Sequence, residues 1–446
     1  LNELQESRID WLSYLKDEKV VLNKKKELRD HQIKAVDAVL SGLNKNDRGK
    51  LIMACGTGKT FTALNIAEKL KSKNKLILYI VPSLALMSQT VREWKNDSID
   101  DFYAFSACSD VKVGKRKPSD DKIEISLNDL AFPATTNSED LSKQIKNCEK
   151  NKMIVIFSTY QSIDVIEKAQ KQFDIPDFDL IICDEAHRTT GATLFDEDET
   201  NFVKIHDNAV IKGKKRLYMT ATPKIYGEKA KSKAKGEDIA LASMDDKKIY
   251  GETLFFRGFN WAVENNLLSD YKVVILAIDE TKVSRDLQKS FEDGSELRLD
   301  DATKIIGCYK ALAKVGFDNN NHSPIKRALA FSQNIEISKI FESEFKNVIK
   351  DYTYKNKNEK IKLNIDVKHI DGTFNADRRT EHLNWLKEEI PDDQCRILSN
   401  VRCLSEGVDV PSLDAIMFLH PKKSQVDVVQ SVGRVMRKAE GKDIGY

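Results

Sequence analysis

From Leu28 onward, short apolar runs alternate with longer segments in which apolar residues recur at helical spacing. The runs Leu51–Ala54, Leu76–Val81, Met153–Ser158, Leu180–Asp184 and Arg216–Thr220 read as strands, each followed by a helix-period stretch or a polar turn. After a connector near Gly258–Ser269, the texture resumes. Tyr271–Leu276 reads as a new buried strand, followed by strands at Ala328–Phe331, Asp366–Ile370, Arg396–Ser399 and Ala415–Leu419. Strands alternating with helices predict an α/β fold, a mainly parallel sheet with helices on both faces. Two such series predict two domains in tandem, over 28–257 and 271–446, joined by 258–270. Residues 1–27 carry Trp11, Tyr14 and Leu15 at helical spacing and then Lys24–Lys26, which predicts a helical lead-in with a solvated charge run. The polar stretch 98–152 reads as an insertion on the first domain. Its basic cluster Val113–Pro118 reads as a solvated loop, as do the lysines at 229, 231, 233 and 235.

The run LIMACGTGKT at Leu51–Thr60 is a strand entering a glycine turn that opens a helix. Gly56 and Gly58 free backbone N–H groups to surround a polyphosphate, and the helix N-terminus adds positive potential. Thr57 lies between those glycines, Lys59 is placed to reach the β- and γ-phosphates, and the Thr60 hydroxyl to ligate Mg²⁺. Met53 stands where the strict motif has its first glycine. A second strand ends on Asp184-Glu185-Ala186-His187. An acidic pair at a strand's carboxyl end suits nucleotide hydrolysis, with Asp184 holding Mg²⁺ and Glu185 activating water. In a parallel α/β sheet, ligands bind at that same end.

Composition narrows the rest. Of 446 residues 41% are hydrophobic and 32% charged, a globular profile with material for more than one core. The net charge of +2 means that any nucleic acid is held by a local groove rather than a global basic field. Seven cysteines without a C-x-x-C pair predict free thiols and a cytoplasmic location, and no apolar run is long enough to span a membrane. A chain that opens on Leu1 and stops at Tyr446 reads as a piece of a longer polypeptide.

Together these elements resemble superfamily 2 helicases and translocases, motors built of two tandem RecA-like domains. Leu28-Arg29-Asp30-His31-Gln32 is similar to the adenine-recognising element, and Met53–Thr60 to motif I. Val81-Pro82-Ser83 through Gln89-Thr90 resembles motif Ia, and Ser158-Thr159-Tyr160-Gln161-Ser162 motif Ib. Asp184–His187 resembles motif II and Thr220-Ala221-Thr222-Pro223 motif III. In the second half, Phe331-Ser332-Gln333 resembles motif IV and His369–Gly372 a motif IVa turn. Ser399–Pro411 with Glu406-Gly407-Val408-Asp409 resembles motif V, and Gln430–Arg437 motif VI. The resemblance implies ATP and Mg²⁺ in a cleft between the domains. Gln32, Gly407 and Asp409 join the nucleotide contacts, and Arg434 and Arg437, read at i and i+3 on one helix face, act as finger arginines on the γ-phosphate. It implies nucleic-acid contacts at Pro82, Ser83, Gln89, Thr159, Tyr160, Ser332 and Gln333. The texture around the motifs is closest to motor segments of type I and type ISP restriction–modification enzymes. That implies double-stranded DNA as partner, with nuclease, methyltransferase and target-recognition domains beside the motor. A strand-separating helicase shares every motif and stays open, as does a nucleotide-dependent switch with little turnover.

Overall fold

The structure, a computed structural model, describes residues 9, 24–71, 75–108, 134–149, 151–192, 197–228, 231–232, 241–275, 299–315, 324–357, 363–374, 376–401, 413–422, 425–439, 442 and 444–446. Trp11, Tyr14, Leu15, the cluster 113–118 and the lysines at 229, 233 and 235 lie outside the described residues. The described chain falls into two compact units, one ending at Gly258 and one beginning at Phe259.

In the first unit the order is α1 (Asp30–Lys45), β1 (Arg48–Met53), α2 (Lys59–Lys69), β2 (Leu76–Val81), α3 (Leu84–Asp97), β3 (Tyr103–Ala107), β4 (Ala134–Thr135), α4 (Ser138–Lys146), β5 (Ile154–Thr159), α5 (Ile163–Phe173), β6 (Leu180–Cys183), β7 (Arg216–Thr220) and β8 (Glu252–Arg257). The eight strands form one sheet, β8-β1-β7-β6-β2-β5-β3-β4, with every pairing parallel. Every residue of β2 is buried, as a central strand covered on both faces requires. Its side chains alternate between two cores. Ile77, Tyr79 and Val81 face a layer containing Ala35 of α1, Ala63 of α2 and Trp94 of α3. Leu76, Leu78 and Ile80 face Leu141 of α4 and Ile166 of α5.

Side-chain caps start two of the helices. The Ser83 hydroxyl accepts from Leu86 N at the start of α3, and Asn137 accepts from Glu139 N and Asp140 N at the start of α4. Two strands differ from the sequence reading. β3 lies within the stretch read as a polar insertion, yet it pairs with β5 along its length. β8 closes the other edge, where Phe256 stays 55% exposed, so it never shows the continuous apolar run of a buried strand.

The second unit contains β9 (Asp270–Tyr271), α6 (Leu299–Leu312), β10 (Arg327–Phe331), α7 (Ile335–Lys355), β11 (Asn364–His369), α8 (Ala376–Lys387), β12 (Gln394–Asn400), β13 (Ala415–Phe418), α9 (Gln425–Val435) and β14 (Ile444–Gly445). Four strands form the parallel sheet β11-β12-β10-β13. Alternate residues of β10 face Phe341 of α7 on one side and Leu386 of α8 on the other. The buried strand expected at Tyr271–Leu276 is corrected. Only Asp270 and Tyr271 pair, with Ile444 and Gly445, and Val273 and Ile275 are 75% and 91% exposed. Apolar composition alone suggested burial there, but among the described residues no element covers those side chains. Both units are RecA-like α/β folds in tandem, as the alternation predicted.

Candidate nucleotide site and its supports

β1 delivers the chain to the loop at Ala54, and α2 leaves it at Lys59. Gly56 and Gly58 take φ of 78° and 87°, the left-handed region where a side chain is strained. At Gly58 a Cβ would also lie 2.2 Å from Gln32 Nε2, so a side chain there would displace the Gln32 amide from the loop. The Thr57 hydroxyl donates to Ala54 O at 2.7 Å, and His31 Nε2–H donates to Thr57 O at 3.0 Å, fixing the loop from both sides. Gln32 is engaged with the same loop. Its Oε1 accepts from Arg29 N at 2.9 Å and its Nε2 donates to Gly58 O at 3.3 Å. Its Nε2 also donates to Thr57 O at 3.4 Å, so a paired bond to adenine would draw this donor from one of the loop carbonyls. Lys59 Nζ reaches Met53 O at 3.3 Å, which keeps the ammonium curled over the loop.

Asp184 follows β6 directly and is 7% exposed. Tyr79 donates its hydroxyl to Asp184 Oδ2 at 3.0 Å, Glu185 N donates to Oδ1 at 2.9 Å, and Tyr160 donates to the Asp184 carbonyl at 2.8 Å. Burial, and then the adjacent Glu185 charge, push the Asp184 carboxyl above its usual range. Burial opposes ionisation of Glu185 too, but the His187 hydrogen bond and the Lys59 charge outweigh it and hold that carboxyl low. Glu185 sits at φ 46°, a left-handed turn that ends the strand and separates its carboxylate from that of Asp184. His187 Nδ1 lies 3.4 Å from Glu185 Oε2 and 3.0 Å from Thr220 Oγ1, and Thr222 N donates to Thr220 Oγ1 at 3.1 Å. The acidic loop and the Thr220–Pro223 turn are thus one hydrogen-bonded body.

A buried polar set lies under that loop. His206 Nε2–H donates to Thr189 O at 3.0 Å, which leaves Nδ1 to accept from the Tyr218 hydroxyl at 3.0 Å. Tyr250 also donates to Thr189 O, at 2.9 Å, and Arg48 donates to His206 O at 2.7 Å. Burial, with Arg48 and Arg216 nearby, lowers the His206 pKa to about 4, although its bond to Thr189 works the other way. The unfolded chain binds this proton below the ordinary value of 6.5 and the native chain does not until about 4. Stability contributed by neutral His206 is therefore present above pH 6.5 and is lost as pH falls towards 4. The loss amounts to about 3 kcal/mol. Denaturant melts across that window should show His206→Gln losing less stability on acidification than wild type. Parallel curves would remove His206 as the cause.

The expected nucleic-acid residues are placed unequally. Tyr160 and Ser332 are both 0% exposed, so they are core residues rather than surface contacts. Thr159 is buried, with its hydroxyl 2.8 Å from Ser162 Oγ. Pro82 is buried and the Ser83 hydroxyl caps α3. Gln89 donates to Glu93 at 2.8 Å, and Gln333 is exposed. In the second unit the buried set Ser338, His369, Asp371 and Ser399 joins the ends of β11 and β12 to α7. His369 lies 2.7 Å from the Ser338 hydroxyl and 2.9 Å from the Asp371 carboxylate. Gly407 and Asp409 lie outside the described residues. Arg434 is in the last turn of α9, but the single helix face expected for the arginine pair is corrected. The helix ends at Val435, and Arg437 bridges to Leu268. Its N–H bonds Arg434 O at 3.3 Å, the tighter geometry of a closing turn.

Among the described residues no cluster of three His, Cys, Asp or Glu side chains could hold a metal alone. A Mg²⁺ site needs no such cluster, since that ion takes one or two protein oxygens and completes its shell with phosphates and water. A dication beside Asp184 would also offset both causes of its raised pKa. The tyrosines on Asp184 went unseen in the sequence because Tyr79 read as an ordinary strand residue and Tyr160 as a nucleic-acid contact.

The family described as "Type III restriction enzyme, res subunit" matches residues 25–225, and "Helicase conserved C-terminal domain" matches residues 307–439. The ATP-dependent type ISP restriction–modification enzyme LlaBIII, solved bound to DNA, is 43% identical over 100% of this chain and 29% of its own, with a TM-score of 0.86. A nuclease-deletion mutant of the type ISP enzyme LlaGI, in complex with a DNA substrate mimic, is 37% identical over 94% of this chain and 26% of its own, with a TM-score of 0.65. Protein A859L of African swine fever virus (isolate Pig/Kenya/KEN-50/1950), named as a helicase, is 27% identical over 92% of this chain and 40% of its own. The chain therefore spans well under half the length of these relatives. It matches the two helicase-related domain families in tandem and is similar to part of the type ISP enzymes.

Proposed function

We propose that this chain is an ATP-dependent double-stranded DNA translocase, the motor part of a restriction–modification enzyme. The observation that carries the reading is the convergence of Lys59, Asp184 and Glu185 at the carboxyl ends of β1 and β6. Both carboxylates feel the Lys59 charge. Thr60 and Asp184 hold the Mg²⁺ side of the nucleotide, where the ion neutralises charge between the phosphates. The Gly56–Gly58 loop and Lys59 hold the polyphosphate, and Gln32 the adenine. Glu185, held ionised by the His187 hydrogen bond and the Lys59 charge, takes the proton of the attacking water. The His187–Thr220 bond passes a change at that carboxylate to the Thr220–Pro223 turn. Gly407, Asp409, Arg434 and Arg437 are the second-unit residues that the resemblance assigns to the nucleotide. Gln89 and Gln333 remain candidate nucleic-acid contacts, and Ser83 and the backbone at Pro82 and Thr159 complete that set.

Similarity to the DNA-bound type ISP structures supports DNA as the partner; our reading makes it double-stranded, with nuclease, methyltransferase and target-recognition parts beside the motor. The six described cysteines are free thiols, which fits the reducing cytoplasm. No helix among the described residues is long and apolar enough to cross a membrane. The similarity to a viral protein named as a helicase supports strand separation as the second reading. A duplex carrying a bound third strand separates the two. The translocase, in the polypeptide that loads it, is expected to displace the third strand and leave the duplex paired. Release of single strands from the duplex would favour the helicase.

A further inference from the structure

A chain of three contacts deep in the first unit joins the two residues assigned to the metal. Tyr79, 0% exposed, donates to Asp184 Oδ2 at 3.0 Å. Its ring meets that of Trp94 edge-on, with centroids 5.1 Å apart and an interplanar angle of 81°. Trp94, also 0% exposed, donates from Nε1 to Thr60 O at 3.1 Å. The sheet register explains the reach. Tyr79 is level with Ile182 on the neighbouring parallel strand, and both face the same core. Asp184 is two residues past Ile182, so the period of a strand puts it on that face, a phenol's length beyond Tyr79.

Packing alone does not call for these polar atoms. Tyr79 sits among Ile77, Val81, Val155 and Phe157, where phenylalanine would fill the same space without burying a hydroxyl. A buried hydroxyl costs stability unless it is bonded, and here its partner is the carboxylate at the centre of the site. Trp94 likewise uses its one polar atom on the backbone of the residue after Lys59.

We propose that Tyr79 and Trp94 are positioning residues that hold the Asp184 carboxylate and Thr60 in register for a magnesium–nucleotide. The inference rests on the assignment of the metal to Thr60 and Asp184. With both residues in place, Asp184 has each oxygen held by a donor, and its carboxylate does not swing when the nucleotide arrives. Tyr79→Phe frees one oxygen and leaves the ring packing intact. Trp94→Phe releases the Thr60 carbonyl in the same way.

The test is Mn²⁺ binding in the presence of a non-hydrolysable ATP analogue, read from the electron paramagnetic resonance signal of the free ion. Tyr79→Phe and Trp94→Phe are each expected to weaken Mn²⁺ binding by about tenfold. Affinity for the same analogue in EDTA should stay at the wild-type value, which loss of fold would not allow. Asp184→Asn is measured in parallel. If Asp184→Asn loses Mn²⁺ and Tyr79→Phe binds it as tightly as wild type, the positioning role is overturned and the metal assignment stands. If Asp184→Asn binds Mn²⁺ normally, the metal assignment falls and takes the inference with it.

Discussion

Glu185→Gln is expected to bind MgATP with near-wild-type affinity and to hydrolyse it at least about a hundredfold more slowly, because a positioned general base contributes on that scale. The substitution keeps the side-chain volume and its place against His187 Nδ1, 3.4 Å away, while it removes the charge that accepts the proton. Affinity should hold because the phosphate contacts come from the Gly56–Lys59 loop, whose geometry is set by Ala54, His31 and Gln32 and not by Glu185. Single-turnover hydrolysis beside equilibrium nucleotide binding checks both halves. Wild-type hydrolysis in Glu185→Gln would take the base role away from this residue.

Arg437→Ala is expected to cost on the order of a thousandfold in turnover with little change in ATP affinity, the signature of a group that answers charge developing on the transferring phosphoryl. Arg437 lies past the end of α9, where its backbone is held by Leu268 and Arg434, so truncating the side chain leaves the main chain anchored. Steady-state kcat against nucleotide Kd checks it. A variant that loses affinity and keeps its kcat would make Arg437 a ground-state contact instead.

What could be read in the sequence was local. The glycine turn of Leu51–Thr60 is one strand, one loop and one helix, and its order in the chain is its order in space. The interior strands of both units were legible for the same reason. Burial on both faces writes a continuous apolar run such as Leu76–Val81, whereas the edge strand Glu252–Arg257 is half solvated and writes none. Tyr271–Leu276 misled because Val273 and Ile275 have the composition of a core strand without a covering layer among the described residues. Motif resemblance also assigned Tyr160 and Ser332 to a nucleic-acid surface, although both side chains are fully buried. The motif stretch there includes residues that hold the loop from beneath, and spacing alone does not separate them from residues that face outward. The partners of Asp184 were hidden for a different reason. Tyr79 is 105 positions away in the chain, and only parallel register brings its hydroxyl to the carboxylate.

On the translocase reading, ATP turnover by this chain is driven by intact duplex. A tracking motor grips phosphates along the groove and needs no free end. The most direct measurement is therefore steady-state ATPase activity with closed circular duplex, single-stranded DNA and RNA at matched nucleotide concentration, repeated over a range of salt. Stimulation by closed duplex is expected to be at least equal to that by single strands and to fall steeply with salt as each phosphate contact releases counterions. Strong stimulation by single strands or RNA with none by closed duplex would contradict it.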